Sequence, residues 1–360
     1  MKIVTVLGAR PQFIKASAIS REIEKHGDIE EIIVHTGQHF DHNMSDIFFQ
    51  EMEIPCPKYF LDVNLLKHGA MTGRMLERIE EVLIAERPDK VVVYGDTNST
   101  LAGALAAKKL HIGVAHVEAG LRSFNMHMPE EINRILTDRI SDLLCCPTDR
   151  SVDNLRREGF EHFDCTVVKT GDVMQDAALY YGGISAGRST IVERLKLTKS
   201  NFVLCTVHRA ENTDDRAGLT SIVQALNTIA GDMRVVLPLH PRTNRALQDL
   251  GIPLEFSTME PVGYFDMLEL LKKSRIVLTD SGGLQKEAFF FSKPCVTLRE
   301  ETEWVELCES GANLLVGSHA DRIVQGFHEM LGRQIELRTD LYGGGQAAKR
   351  VVEAMLDSPS

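Results

Sequence analysis

The stretch Gly113-Val-Ala-His-Val-Glu-Ala-Gly-Leu-Arg122, followed by Pro129-Glu-Glu-Ile-Asn-Arg134, decides the fold. Gly113 to Val117 reads as a short buried strand. It empties into a loop, and Pro129 opens a helix, because proline at the first helical position and acids in the first turn are helix-start chemistry. A strand that runs through a loop into a helix is part of a βαβ unit, and such units build parallel sheets covered by helices. Ligands of such sheets bind outside the carboxyl ends of the strands. Glu118 stands at that end, with Glu130 and Glu131 a loop away, so the segment gathers carboxylates suited to proton transfer. Glu130 and Glu131 equally suit the helix dipole. Glu118, between an apolar strand and Ala119-Gly120, has no capping task and reads as chemistry.

Working outward, β-branched runs alternate with helical patterns almost throughout. Strands are expected at Lys2–Leu7, Glu31–His35, Lys90–Tyr94, Gly113–Val117, Leu143–Cys146 and Thr166–Thr170, with helices starting near Pro11, Ser45, Gly69, Ser99, Pro129 and Asp149. The Gly182–Gly187 stretch breaks the pattern and is expected to be a linker. Strands resume at Phe202–Val207, Arg234–Leu239, Leu254–Ser257, Arg275–Leu278, Cys295–Leu298 and Asn313–Val316. The expected fold class is α/β, with two Rossmann-like doubly wound domains facing a cleft: residues 1–183, then 184–342. A helical run from Gln346 to Leu356, within 343–360, is expected to pack back on the first domain.

Composition narrows the function. The 360 residues, 43% hydrophobic and 25% charged, suit a globular protein with two cores. A net charge of −11 argues against a nucleic-acid partner. The seven cysteines form no C-x-x-C pair, and most sit in apolar runs such as Leu143-Leu-Cys-Cys146, so they read as reduced core residues and not as a metal or disulfide frame. No apolar run reaches spanning length and the first strand is too short for a signal-peptide core, so a cytoplasmic protein with no membrane partner is expected.

Five further junctions carry candidate chemistry. Gly8-Ala-Arg-Pro11 links the first strand to a helix; its free N–H groups, with Arg10 and Lys15, suit a phosphate, but it lacks the G-x-G-x-x-G of a dinucleotide site. Gly95-Asp96 ends a strand at the same edge as Glu118, and Asp96 is either a functional carboxylate or a helix N-cap, a task open also to Asn98 or Ser99. His208-Arg209 and His240 follow two strands of the second half and suit an anionic ligand. Asp280-Ser-Gly-Gly283 opens a helix: Ser281, Gly282 and Gly283 let a diphosphate approach the backbone, and Glu287, about one and a half turns on, suits ribose hydroxyls.

In this order, these pieces resemble the UDP-N-acetylglucosamine 2-epimerase family. The matching residues are Gly8-Ala-Arg-Pro11 with Lys15, Thr36-Gly-Gln-His39, Gly95-Asp-Thr97, His116–Arg122, Pro129-Glu-Glu131 with Asn133-Arg134, His208-Arg209 with Glu211-Asn212, His240-Pro241, and Asp280–Gly283 with Glu287. The resemblance implies a glycosyltransferase-B type fold, a UDP-sugar substrate, a homodimer, and neither metal nor redox cofactor. It implies inversion at sugar C2 by elimination and re-addition of UDP. Asp96, Glu118 and Glu130 would be the acid/base and charge-stabilising set with His208 beside them. Arg10, Lys15, Arg209, His240, Ser281, Gly282 and Gly283 would hold the sugar and phosphates, and Glu287 the ribose.

The chain also departs from the common pattern. Gly8-Ala-Arg-Pro-Gln12 replaces G-T-R-P-E, Trp304 replaces an Arg, Met267 replaces an aromatic, and Phe40-Asp-His-Asn-Met-Ser45 is unusual. These variants resemble the branch that inverts UDP-2,3-diacetamido-2,3-dideoxyglucuronate for surface polysaccharide synthesis. A uronate would want a further cation, for which His42, His127 and Arg299 are candidates. Gln38 and His39 match the activator site of allosteric members, but Gly69 stands where those members carry an Arg.

Overall fold

A computed structural model describes residues 1–38, 52, 54–197, 201–338 and 341–358, the Arg10 side chain excepted. It divides into two compact units, the first Met1–Ala177 with the tail beyond Arg338, the second Ala178–Arg338. The first holds a parallel sheet of β1 (Lys2–Leu7), β2 (Glu30–His35), β3 (Tyr59–Phe60), β4 (Lys90–Tyr94), β5 (Gly113–Val117), β6 (Leu143–Cys146) and β7 (Thr166–Lys169). Their order is β3-β2-β1-β4-β5-β6-β7. The second unit repeats the plan with β8 (Phe202–Thr206), β9 (Arg234–Pro238), β10 (Ser257–Met259), β11 (Ile276–Thr279), β12 (Cys295–Thr297) and β13 (Asn313–Leu315) in the order β10-β9-β8-β11-β12-β13. Both are doubly wound, and the order reverses between β1 and β4 and between β8 and β11. A crevice opens at such a reversal.

Central strands covered by helices on both faces bury nearly every side chain, which is why β1, β4, β5, β6, β8 and β11 read as nearly continuous apolar runs. Val4, Val6, Val91 and Val93 pack with Met75, Ile79 and Leu83 of the helix His68–Glu86 and with the alanines of Asn98–Lys109. Val203, Cys205, Leu278 and Val296 pack likewise with Ile222, Leu226 and Ile229 of Arg216–Asp232 and with Phe327. Cys145, Cys146, Cys205 and Cys295 are buried strand residues, while Cys56 is exposed. Burial pushes the Cys145 and Cys295 thiols up to about 12, so neither ionises near neutrality.

Two expectations are corrected and one strand is added. Gly182–Gly187 is not a linker but part of the helix Val173–Arg188. Gly182 is there for close packing: a Cβ would come 2.7 Å from the Phe291 ring. The strand expected at Leu254–Ser257 is β10, shifted to Ser257–Met259, and the short edge strand β3 escaped notice because two residues show no periodicity. The helix expected near Ser45 lies outside the described residues.

The C-terminal helix Ala347–Asp357 belongs to the first unit and lies against the helix Arg10–Ile23. Asp176 caps it from elsewhere in the chain, accepting from the Ala347 and Ala348 N–H groups at 3.1 and 2.9 Å. Burial outweighs those bonds and lifts the carboxyl from 3.8 to about 6. The native state therefore holds this proton more tightly than the unfolded chain. Its contribution is fully present below about pH 4 and lost as pH rises through 6. Asp176→Asn removes that titration. Relative to wild type, the variant should gain up to about 3 kcal/mol between pH 4 and 7, on top of a constant offset from the altered bonds. Urea unfolding of both proteins at pH 4.5 and 7.5 measures it; parallel pH dependences would disprove the linkage.

Candidate active site

The loops that follow β1, β4 and β5 meet at the switch point of the first sheet. Glu118 directly follows β5 with φ of +73°, a left-handed conformation strained for a residue with a side chain. Its Oε2 lies 2.7 Å from Lys15 Nζ, and both side chains are about nine-tenths buried. Gly95, ending the β4 turn, has φ of +64°, and a Cβ there would sit 3.2 Å from Lys15 Nζ and 3.9 Å from Glu118 Oε1. Conformation favours glycine here, and a Cβ would also crowd the Lys15 ammonium. Asp96 comes next, partly exposed and paired with the Arg134 guanidinium. Thr97, not Asn98 or Ser99, caps the following helix by accepting from Thr100 N–H at 3.2 Å. Capping therefore falls to Thr97, and the Asp96 carboxylate is left to its pairing with Arg134.

Gln12 joins two of these loops. Its Oε1 accepts from the Gly8 and Ala9 N–H groups at 2.8 and 2.9 Å, and its Nε2 donates to the Tyr94 carbonyl at 2.9 Å and to the Thr97 and Thr100 hydroxyls. Gly8 is needed because a Cβ would fall 2.1 Å from Thr36 Oγ1, which pairs with Ser99 Oγ. Gln38 adds an acceptor to Ser99.

The two acids of the Pro129 helix separate in role. Glu131 is fully buried and clamps the preceding loop, accepting from Ser123 N–H and Oγ, Phe124 N–H and Arg134 Nη1. Glu130 is exposed at the first turn. Beneath them, His116 bonds Asp138 Oδ1 through Nδ1 and the Gly95 carbonyl through Nε2, both at 2.7 Å. Asp138 also accepts from Arg122 Nη1 at 2.7 Å and from Gly120 N–H at 3.1 Å. Arg122 in turn forks onto Glu158 at 2.7 and 2.8 Å. Nothing in the sequence spacing pairs Asp138 with His116, because the contact joins a helix to a strand.

In the second unit the loops after β8 and β11 share the switch point. Asp280 is fully buried and is a loop clamp: it accepts from the His208 and Arg209 N–H groups and from Asn212 Nδ2. His208 Nδ1 lies 3.3 Å from the same carboxylate. His240 caps the helix Pro241–Leu250 by accepting from Arg242 N–H, and its ring centroid is 5.8 Å from that of His208. Ser281 caps the helix Gly282–Phe290, whose first turn is the glycine pair. Glu287, buried in that helix, accepts from Tyr264 Oη at 3.0 Å. Arg209 Nη2 stands 4.0 Å from Glu303, and Arg299 is buried and paired with Glu303 at 3.0 Å. A Cβ on Gly282 would lie 2.6 Å from Glu303 and 3.4 Å from the Trp304 indole nitrogen, and Lys286 Nζ sits 3.8 Å over the Trp304 ring.

The structure thus gathers Lys15, Asp96 and Glu118 in one unit, and His208, Arg209, His240, Ser281, Gly282, Gly283 and Glu287 along the strand ends of the other. His127 is exposed. The Arg10 side chain, His39 and His42 lie outside the described residues. Reasoning from sequence missed Gln12, Asp138 and Tyr264 as supports; the exchange of Glu for Gln at position 12 was the signal for the first.

Two doubly wound parallel sheets, the second with a glycine-opened helix after β11, define an α/β protein of the doubly wound class. The family model described as UDP-N-acetylglucosamine 2-epimerase matches residues 21–356, and the chain belongs to that family. A Pseudomonas aeruginosa PAO1 protein named UDP-2,3-diacetamido-2,3-dideoxy-D-glucuronate 2-epimerase is 58% identical across 98% of this chain and 99% of its own. The UDP-GlcNAc 2-epimerase of Methanocaldococcus jannaschii, solved with UDP-GlcNAc and UDP, superposes with a TM-score of 0.92 at 41% identity, over 99% of this chain and 100% of that one. A Neisseria meningitidis UDP-GlcNAc 2-epimerase bound to UDP-GlcNAc gives 0.89 at 33% identity, over 99% and 100%. Among the described residues no helix is long and apolar enough to cross a membrane.

Proposed function

We propose that this chain is an isomerase that inverts C2 of a UDP-2-acetamido sugar, converting UDP-2,3-diacetamido-2,3-dideoxyglucuronate to its mannuronate isomer. The observation that carries the substrate is the full-length identity of 58% to a protein named for that reaction. The Gln12 and Trp304 departures from the UDP-N-acetylglucosamine pattern support it. The C2 proton has no adjacent carbonyl, so its removal is coupled to departure of UDP. A carboxylate takes the proton, the C–H electrons form the C1–C2 double bond, and the C1–O electrons leave with UDP. The bound glycal then takes UDP back at C1 and a proton at the opposite face of C2. Glu118, with Lys15 as counter-charge, Asp96 and Glu130 are the acid/base and charge-stabilising set, with His208 facing the diphosphate. Arg10, Arg209, His240, Ser281, Gly282 and Gly283 hold the phosphates and Glu287 the ribose. We place the enzyme in the cytoplasm as a homodimer serving lipopolysaccharide O-antigen synthesis.

Proton NMR in D2O, with the uronate and UDP-N-acetylglucosamine supplied separately, tests this. Deuterium entering C2 with a manno product from the uronate alone is the expected result. Turnover of UDP-N-acetylglucosamine alone would overturn the substrate, and accumulation of free UDP would mark a hydrolysing enzyme instead. Light scattering of the purified protein checks the dimer.

A further inference from the structure

Successive carbonyls of the turn that carries Asp96 are each held by a side-chain N–H from a different element. Gln12 Nε2, from the helix Arg10–Ile23, donates to Tyr94 O at 2.9 Å. His116 Nε2, from β5, meets Gly95 O at 2.7 Å, and Asn133 Nδ2, from the helix Pro129–Ile140, donates to Asp96 O at 3.0 Å. The Gly95 N–H is bound to Val117 O at 2.9 Å, so that residue is held through both its N–H and its carbonyl. A left-handed turn would ordinarily take solvent as its partner. Here it is tied to three packed elements, two of whose donors, Gln12 and His116, are themselves almost fully buried. His116 and Asn133 are fixed in turn by Asp138 and by Asn98 Oδ1 at 3.2 Å.

We infer that His116 and Asn133, with Gln12, are positioning residues that hold Asp96 in reacting geometry. The inference rests on the proposed role of Asp96. Supports of this kind matter because a carboxylate displaced by a fraction of an ångström loses its alignment with the atom it serves. At Tyr94 O the Thr100 hydroxyl also donates, at 2.6 Å, so the Gln12 arm is duplicated there, while among the described residues the other two are not.

The test is a double-mutant cycle on the full chain, reading C2 deuterium incorporation and UDP affinity. Asn133→Ala should lower the turnover number about 10- to 100-fold while UDP affinity stays within about twofold. In the Asp96→Asn background the same change should cost nothing further, since Asn133 acts through Asp96. His116→Gln should repeat the pattern, and either variant suffices if the other fails to fold. An additive loss in the double variant, a parallel loss of UDP affinity, or a fully active Asn133→Ala enzyme beside an inactive Asp96→Asn enzyme overturns the inference alone. A fully active Asp96→Asn enzyme would overturn the role of Asp96 and the inference with it.

Discussion

Glu118→Gln is expected to cut C2 exchange about 10²- to 10⁴-fold while leaving UDP affinity within a few-fold, the range seen when a positioned general acid or base is removed. Glutamine keeps the size and shape of the side chain, so the loss reports the carboxylate's charge and proton capacity. Three features make the effect large. The residue holds a strained φ of +73°, which aims its side chain from the end of β5 and persists only because the surroundings enforce it. Its carboxylate is nine-tenths buried, so water is a poor substitute. Lys15 at 2.7 Å supplies the counter-charge, and its ammonium would be left unpaired in a dry site. Exchange and product formation by NMR, with UDP binding by calorimetry, separate the two quantities. A variant with more than a tenth of wild-type exchange would remove Glu118 from the catalytic set.

Asp138→Asn should destabilise the first unit by about 3–5 kcal/mol, the cost of stripping one partner from a buried ion pair. Asp138 has no exposed surface and serves His116, Arg122 and the Gly120 N–H at once. The Arg122 guanidinium is itself inside the fold, and after the change it would keep the Leu121 carbonyl and, as charged partner, Glu158, whose side chain is 35% exposed. Urea unfolding checks the size, and a loss below about 1 kcal/mol would mean that Glu158 alone neutralises Arg122. The pH dependence has a definite sign. Burial works to raise the Asp138 carboxyl, but the His116 bond and the nearby His116 and Arg122 charges outweigh it and hold it below the usual 3.8. Its stabilisation is therefore present above that value and is lost as pH falls through the lower native one.

The strands were legible because a parallel sheet buried on both faces leaves runs of Val, Ile and Leu bounded by turn residues, so that β1, β4, β5 and β6 match their expected limits to the residue. Helix starts were equally plain at Pro129 and Asp149, where local chemistry fixes the first turn. The linker expected at Gly182–Gly187 failed because glycine signals a break only when its backbone is free. Here the Phe291 ring demanded the missing side chain, and that demand comes from a residue more than a hundred positions away. Likewise Asp280 and Glu131, each in a motif that suggested a ligand, are spent on holding loops.

The sequence by itself determined the α/β class, the two doubly wound sheets and the strand-end positions of Asp96, Glu118, His208 and Ser281, since these follow from periodicity and from turn chemistry within a few residues, while the family showed as a resemblance carried by the ordered set of motifs. Only the tertiary structure decided that Lys15 neutralises Glu118, that Thr97 takes the capping role beside Asp96, and that Gln12, His116 and Asn133 share the task of fixing one turn. Those are contacts between elements distant along the chain. Sequence spacing does not encode them, because a side chain's partner is chosen by which strands and helices the packed core brings side by side.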